Sequence, residues 1–253
     1  MTAPGVRSVL TAMRVLERLS DSGLIGVSEL SRNLELPKSS VQRMLLTLKE
    51  AGWAVDVRGE VTQWKLTPTM FRLGQHHQAR HGLRATALPV MEQVREETRE
   101  TVHLSVLRGD AAVVVLECLE SMQPVRAHVT TGDVIPLHAS TNGQALLSTQ
   151  SDEAVRQLIS KGLSSYTAAT ITNPAELEAA VRRARVRGFA SGEGQWREGV
   201  HAVAAPIVVG GVGVAGIGIS TPAHRMSPSL EQSFGNIVVE AARTIARQFG
   251  EET

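Results

Sequence analysis

The stretch from Val27 to Trp53, VSELSRNLELPKSSVQRMLLTLKEAGW, admits few folds, because it reads as two short helices meeting at a tight corner. Ser28 is a good N-cap for the first helix, which carries Leu30 and Leu34 on one face. Pro37 suits the opening turn of the second, where its missing amide would have no partner anyway. Val41, Met44, Leu45 and Leu48 then recur at i, i+3, i+4 and i+7 as one buried stripe. Ser39, Gln42, Arg43 and Leu46 repeat the spacing on a neighbouring face, and three of them are polar. That face fits a DNA major groove; it equally fits an ordinary helical corner turned to solvent.

The residues downstream favour the groove. Trp53 to Val57, a turn at Arg58-Gly59, and Val61 to Leu66 form a small hairpin, the wing of a winged helix-turn-helix. Ser39, Gln42 and Arg43 are the candidate base contacts; Lys38, Arg58 and Lys65 are placed for phosphates, and Ser28 and Ser40 complete the DNA-contact set. Residues 1–75 carry 10 Lys and Arg against 7 Asp and Glu, so the small positive excess lies at this end. A preceding helix, about Arg7 to Leu19, lines up Val9, Met13, Leu16 and Leu19 and stops at Gly23. Glu35 stands at the corner between the two later helices, where a glycine or other small residue is more usual.

With 253 residues the chain can hold two domains with their own cores. The first ten residues lack the apolar core of a secretion signal, and no apolar run reaches the roughly 18–20 residues of a membrane span. Cys118 is the only cysteine, which forbids an internal disulfide and fits a reducing cytoplasm. We expect a cytoplasmic, nucleoid-associated protein with no membrane partner. Its strand-like flanks make Cys118 a structural thiol.

Pro68 to about Arg84 reads as a polar helical stretch that Leu88-Pro89 interrupts. The expected division is a winged helix over 1–74, a linker helix over 75–87 and a second domain over 88–253. His76, His77 and His81 lie in the linker without a further ligand nearby, so no metal is expected. The second domain should run as a helix from Leu88 to about Thr98 and strands at 102–107, 112–120 and 126–130. Helices come after Ser140 and over about 152–161 and 174–187, then a hairpin of 202–209 and 212–220 across Gly210-Gly211. A last helix spans Pro228 to Phe249. Asn173, Pro174, Glu176 and Gly188 punctuate the third of these helices completely. Strands at both ends with helices between imply an α+β domain with a mostly antiparallel sheet.

Three segments then resemble the IclR family of bacterial transcription regulators, in order and over nearly the full length. They are LPKSSVQRMLLTLKEAGW with WKLTPTMFRLG, then Pro136-Leu137-His138-Ala139-Ser140-Thr141-Asn142-Gly143-Gln144-Ala145-Leu146-Leu147, then Arg187-Gly188-Phe189-Ala190 with Arg197 to Pro206. The resemblance implies a winged helix joined by a linker helix to a GAF-like effector domain, in a homodimer or homotetramer on a partly palindromic double-stranded DNA operator. Gln144, where the family usually has Lys or Arg, and Ala202, where cysteine is frequent, depart from its pattern. Ser140, Thr141, Asn142 and Gly143 can offer hydroxyls and amides at a helix mouth, which suits a carboxylate. Similarity to the family adds Glu193 to Trp196, Ala202, Ala204 and Ser220, with Trp196 as a lid or wall. His138 is expected to fix its loop through a hydrogen bond. The implied small-molecule effector is an organic or aromatic acid.

Two enzyme-like features fail on context. Gly211 to Gly216 satisfies G-x-G-x-x-G, but strand-like Ile217 and Ile219 come next, where a dinucleotide site needs a helix. There is no G-x-S-x-G and no H-E-x-x-H, so catalytic residues and cofactors are expected to be none. The rival readings are a small-acid enzyme using the second domain, and a constitutive DNA-bound scaffold without an effector.

Overall fold

The computed structural model describes residues 6–72 and 82–251. They form two compact units; the described part of the first ends at Arg72 and that of the second begins at Gly82.

The first unit runs α1 (Arg7–Ser22), β1 (Ile25–Gly26), α2 (Val27–Leu34), α3 (Lys38–Glu50), β2 (Ala54–Val57) and β3 (Gln63–Leu66). Val15, Leu16 and Leu19 of α1 meet Leu30 and Leu34 of α2, Val41, Leu45 and Leu48 of α3, and Trp64 of the wing in one core. β3 lies between β1 and β2 in a three-stranded antiparallel sheet, so the wing is braced by a short strand that the hairpin alone did not foretell. That strand also corrects the cap. Gly26 is paired to Gln63 and the chain passes directly into α2 at Val27, so Ser28 sits inside the first turn and caps nothing. Pro37 is likewise one position earlier than expected, in the cap of α3, with its carbonyl accepting from Ser40 and Val41. Val9 and Met13, 51 and 52 % exposed, are not core residues, because among the described residues of this unit nothing buries that face of α1.

Glu35 closes α2 in the left-handed conformation (φ 55°). Its amide reaches the Arg32 carbonyl and the next amide reaches Ser31, which ends the helix sharply enough for α3 to start three residues on. A β-carbon in that conformation costs about 1 kcal/mol.

The second unit is an antiparallel sheet of six strands in the order β6-β5-β4-β9-β8-β7. In chain order it comprises α4 (Leu83–Thr98), β4 (Thr101–Arg108), β5 (Ala112–Leu119), β6 (Val134–Pro136), α5 (Thr141–Leu147), α6 (Asp152–Ser160), α7 (Pro174–Arg187), β7 (Ala190–Glu193), β8 (Val200–Val209), β9 (Val212–Pro222) and α8 (Pro228–Glu251). Val102 and Leu104 of β4 and Ile217 and Ile219 of β9 pack with α4 and α8 in one core. Val113 and Val115 of β5 join α5, α6 and α7 in another. The sheet is therefore a wall between two helical layers, the α+β arrangement expected.

Three expectations need correcting. α4 runs straight through Pro89, so 83–87 belong to the second unit's first helix and the break at Leu88-Pro89 does not exist. An interior proline costs about 3 kcal/mol; burial of Leu83, Ala87, Val90, Met91 and Val94 along the same helix outweighs it. The rest of the expected linker, His76, His77 and His81 included, lies outside the described residues. Residues 126–130 are not a strand but an irregular segment held from outside: Arg225 donates to Val125 O, Arg197 to His128 O, and the Thr130 amide to Asp133. The edge strand is instead β6, paired to β5. The punctuation of α7 is as read: Asn173 Oδ1 accepts from Ala175 and Glu176, and Gly188 ends the helix at φ 79°.

Glu35→Gly removes the left-handed penalty without touching a contact in the core. It is expected to stabilise the first unit by about 0.5–1 kcal/mol in urea unfolding of the full chain; an unchanged or lower midpoint would show that the Glu35 side chain contributes more than its backbone loses.

Candidate DNA face and effector pocket

Burying Val41, Leu45 and Leu48 leaves Lys38, Ser39, Gln42, Arg43 and Leu46 exposed on the opposite face of α3, with Ser40 half-buried at its edge. Ser28 is exposed in the first turn of α2. Lys65 is exposed on β3, and Arg58 lies at the wing tip with its side chain 91 % exposed, 3.9 Å from Asp56. Lys49, at the other end of α3, is different: it is paired with Asp56 on β2 and so ties the helix to the wing. Its hydrogen bond holds the Asp56 carboxyl below the usual carboxylate range. That contribution is complete above pH 3.8 and fades as pH falls through the lowered value. The eight candidate DNA residues thus fall on three surface pieces, the α2 start, the α3 face and the wing.

In the second unit, a cleft of about 620 Å³, its open mouth included, lies over the sheet. Of the candidate effector residues, Ser140, Thr141, Asn142, Trp196, Ala202 and Ser220 line it. Three do not. Gly143 gives its amide to Ser140 Oγ, and a β-carbon there would stand 2.2 Å from the Leu137 carbonyl, so this glycine serves close packing rather than ligand approach. Ala204 is fully buried with Ala145, Ala184 and Ala190 beneath α5 and α7. Glu193 points away to solvent beside His201.

The polar lining residues that the sequence did not flag are His103 and Ser105 on β4 and His128, Asp133 and Arg197 around the mouth, while Gln195 falls within the flagged stretch from Glu193 to Trp196. β4 alternates Thr101, His103, Ser105 with Val102, Leu104, Val106, which from sequence alone reads as a half-solvated strand. In the fold its polar row is buried, His103 and Ser105 under Asn142 of α5 and Thr101 against the Ala127 carbonyl. Asn142, 2 % exposed, donates from Nδ2 to both His103 Nδ1 (2.9 Å) and Ser105 Oγ (2.8 Å). His103 Nε2 lies 2.8 Å from Ser220 Oγ. Burial lowers the His103 pKa to about 4, so the ring is neutral. Gly216, the last glycine of the G-x-G-x-x-G run, and Gly218 just beyond it make room for this row. A β-carbon on Gly218 would stand 2.7 Å from the His103 ring and 2.9 Å from Asn142 Oδ1, and one on Gly216 3.1 Å from the same oxygen.

Gln144, the departure from Lys or Arg, is buried; its amide donates to His138 O and to Gln195 Oε1, which anchors the loop carrying Trp196. Trp196 packs edge-on against Tyr166, and His138 holds the Ser164 carbonyl at 2.9 Å. Arg197 is engaged with Asp133 (3.3 Å) and with His128 O. Cys118 donates to Val129 O, and burial raises its thiol to about 11, which makes it inert.

Ser191, His201 and Glu193 also come together, with Ser191 Oγ 3.0 Å from His201 Nε2 and Glu193 3.6 Å from Nδ1. The spacing resembles a hydrolase triad, but Glu231 of α8 lies 3.3 Å from that same Nε2 and takes Arg187 at 2.7 Å. Burial pushes the Glu231 carboxyl up, yet hydrogen bonds from Arg187 and Ser191 outweigh it and leave the group below its ordinary value. The cluster is a polar clamp in which the Arg187–Glu231 ion pair ties α7 to α8 while Ser191 and His201 add β7 and β8. Among the described residues no group of three His, Cys, Asp or Glu could hold a metal, and no helix is long and apolar enough to cross a membrane.

Residues 75–247 match the family profile described as bacterial transcriptional regulator IclR C-terminal, and 8–57 match the IclR helix-turn-helix domain. The chain belongs to the IclR family of bacterial transcription regulators. As such it is a DNA-binding regulator whose operator binding responds to a small molecule in the C-terminal domain. The transcriptional regulator BhcR of Paracoccus denitrificans is 33% identical over 244 residues, 96% of this chain and 87% of that protein. The transcriptional repressor IclR of Escherichia coli is 30% identical over 256 residues, 98% and 93% of the two chains. An IclR homologue from Microbacterium hydrocarbonoxydans, crystallised with 4-hydroxybenzoate, superposes with a TM-score of 0.80 at 26% identity, covering 97% of this chain and 100% of that one.

Because the unfolded chain protonates its histidines near pH 6.5 and His103 resists until about 4, its contribution is complete above 6.5 and is lost as pH falls toward 4. Between pH 7 and pH 4.5 wild type should therefore lose more stability than His103→Gln in chemical unfolding. Equal losses would mean that His103 is solvated.

Proposed function

We propose that the exposed face of α3 reads the operator, Ser39, Gln42 and Arg43 at base edges and Lys38, Ser40, Arg58, Lys65 and Ser28 at phosphates. The observation that carries this is the division of one helix into a core stripe and an exposed polar stripe, flanked by a wing with its own cations. A bidentate guanidinium at a guanine is worth about 1–3 kcal/mol of discrimination. Two copies of the chain, as a dimer or a tetramer, would present two such helices to a partly palindromic site. The working compartment is the cytoplasm, on the nucleoid.

The effector in this reading is a small organic or aromatic acid seated over Ala202, between Asn142, Ser220 and the Trp196 wall. Supporting it are the lining of the cleft and the 4-hydroxybenzoate in the Microbacterium homologue. The acid alters operator affinity only through its unequal affinity for DNA-competent and DNA-incompetent arrangements, typically about 1–3 kcal/mol or five- to 150-fold. The chain binds its acid without transforming it; the relatives bear regulator names, and the Ser191 cluster is internally engaged.

On a promoter fragment flanking its own gene, Arg43→Ala should weaken specific binding by about five- to 150-fold while binding to random DNA changes little. Lys65→Ala should weaken both alike and reduce the salt slope by about one unit. Equal losses on both DNAs for Arg43→Ala would make it a phosphate contact, and an unaltered salt slope would remove Lys65 from the interface.

A further inference from the structure

We infer that His103 is a positioning residue: held by Asn142, it fixes the hydroxyl of Ser220 as a donor, so that the pocket floor is an uncharged cradle whose hydroxyl hydrogens are directed at a carboxylate. This rests on the acid-binding reading above and adds which atoms receive the acid and what orients them.

The deduction starts from Asn142. Its two Nδ2 hydrogens go to His103 Nδ1 and Ser105 Oγ. A ring nitrogen that accepts carries no proton, so the proton of the neutral ring is on Nε2. Nε2–H therefore donates to Ser220 Oγ at 2.8 Å. Ser220 accepts this bond, and its own hydrogen cannot return to the ring. Ser105 is in the same state, its oxygen taken by Asn142. Among the described residues neither hydroxyl donates to a protein acceptor, and both line the cleft. The floor thus offers two hydroxyl hydrogens, each on an oxygen that already accepts a bond from its own chain.

The amide orientation has an independent support. Asn142 Oδ1 lies over the α-carbons of Gly216 and Gly218 and has no conventional partner. There it meets C–H groups, a weak but favourable contact. The flipped amide would turn two N–H donors onto those carbons and leave both unsatisfied, which costs more than one under-used oxygen.

A floor that presents two hydroxyl hydrogens selects its guest. A carboxylate accepts from both hydroxyls in charge-assisted bonds, about twice as strong as neutral ones. The two formal charges lining the cleft, Arg197 and Asp133, are paired with each other, so the floor hydroxyls rather than a free cation set the preference.

The test uses the full-length protein and a panel of acids with their matched alcohols: 4-hydroxybenzoate with 4-hydroxybenzyl alcohol, benzoate with benzyl alcohol, and pyruvate with hydroxyacetone. Calorimetry on wild type should favour at least one acid over its alcohol by tenfold or more. His103→Leu should collapse that ratio toward one, Ser220→Ala should weaken the acid tenfold, and His103→Gln, which keeps an N–H for Ser220, should restore part of the ratio. Two-bond ¹H–¹⁵N spectra of histidine-labelled wild type, with His103 assigned by its loss in His103→Gln, should show protonated Nε2 and bare Nδ1. The Nδ1–H tautomer, or an acid-to-alcohol ratio that survives His103→Leu, would overturn this inference and leave the acid reading intact. Failure of every acid to bind, with the Nε2–H tautomer in place, would overturn the acid reading itself, and the inference with it.

Discussion

One side chain joins the two halves of the candidate effector pocket. Asn142 reaches from the first turn of α5 down to the sheet and hands its two amide hydrogens to His103 and Ser105. A buried amide without these partners would cost several kcal/mol, so the helix and the polar row of β4 need one another. The room for this contact comes from the partner strand, where Gly216 and Gly218 present no β-carbon to the incoming side chain. Packing, hydrogen bonding and backbone composition thus meet at a single point.

The consequence runs outward along the sheet. Val102 and Leu104 face α4 and α8 with Ile217 and Ile219, while His103 and Ser105 look the other way, into the cleft. The strands that hold the unit together on one face are those that line the cleft on the other. Such a floor is rigid because both Asn142 amide hydrogens, both His103 ring nitrogens and the two serine oxygens are already engaged, which leaves the hydroxyl hydrogens to face the cleft. Gln144 extends the same logic to the mouth, where its amide pins Gln195 and with it the loop that carries Trp196.

How much of the fold was legible in the chain depends on how local each cause is. The core stripe of α3, the stop at Gly188 and the turn at Gly210-Gly211 are set by neighbours within a turn or two, and they stand where expected. Where distant partners decide, the sequence misled. Pro89 should end a helix, but the sheet beneath holds α4 together. Ser28 has the chemistry of a cap, yet pairing of Gly26 with β3 moves the helix start ahead of it. His103 and Ser105 alternate with apolar residues as solvent-facing ones do, and only a helix from about forty residues downstream turns that face inward. The polar face of α3 was legible for the opposite reason, since among the described residues no other part of its own unit competes for it.

The central claim is that the polar floor beneath α5 is where the small molecule sits. A crystal structure of the full-length protein soaked in 4-hydroxybenzoate tests it most directly. The account predicts density for the acid over Ala202, a carboxylate oxygen within hydrogen-bonding distance of Ser220 Oγ, and Asn142 unmoved. Density for the acid elsewhere on the chain, with only water over an undisturbed floor, would contradict it.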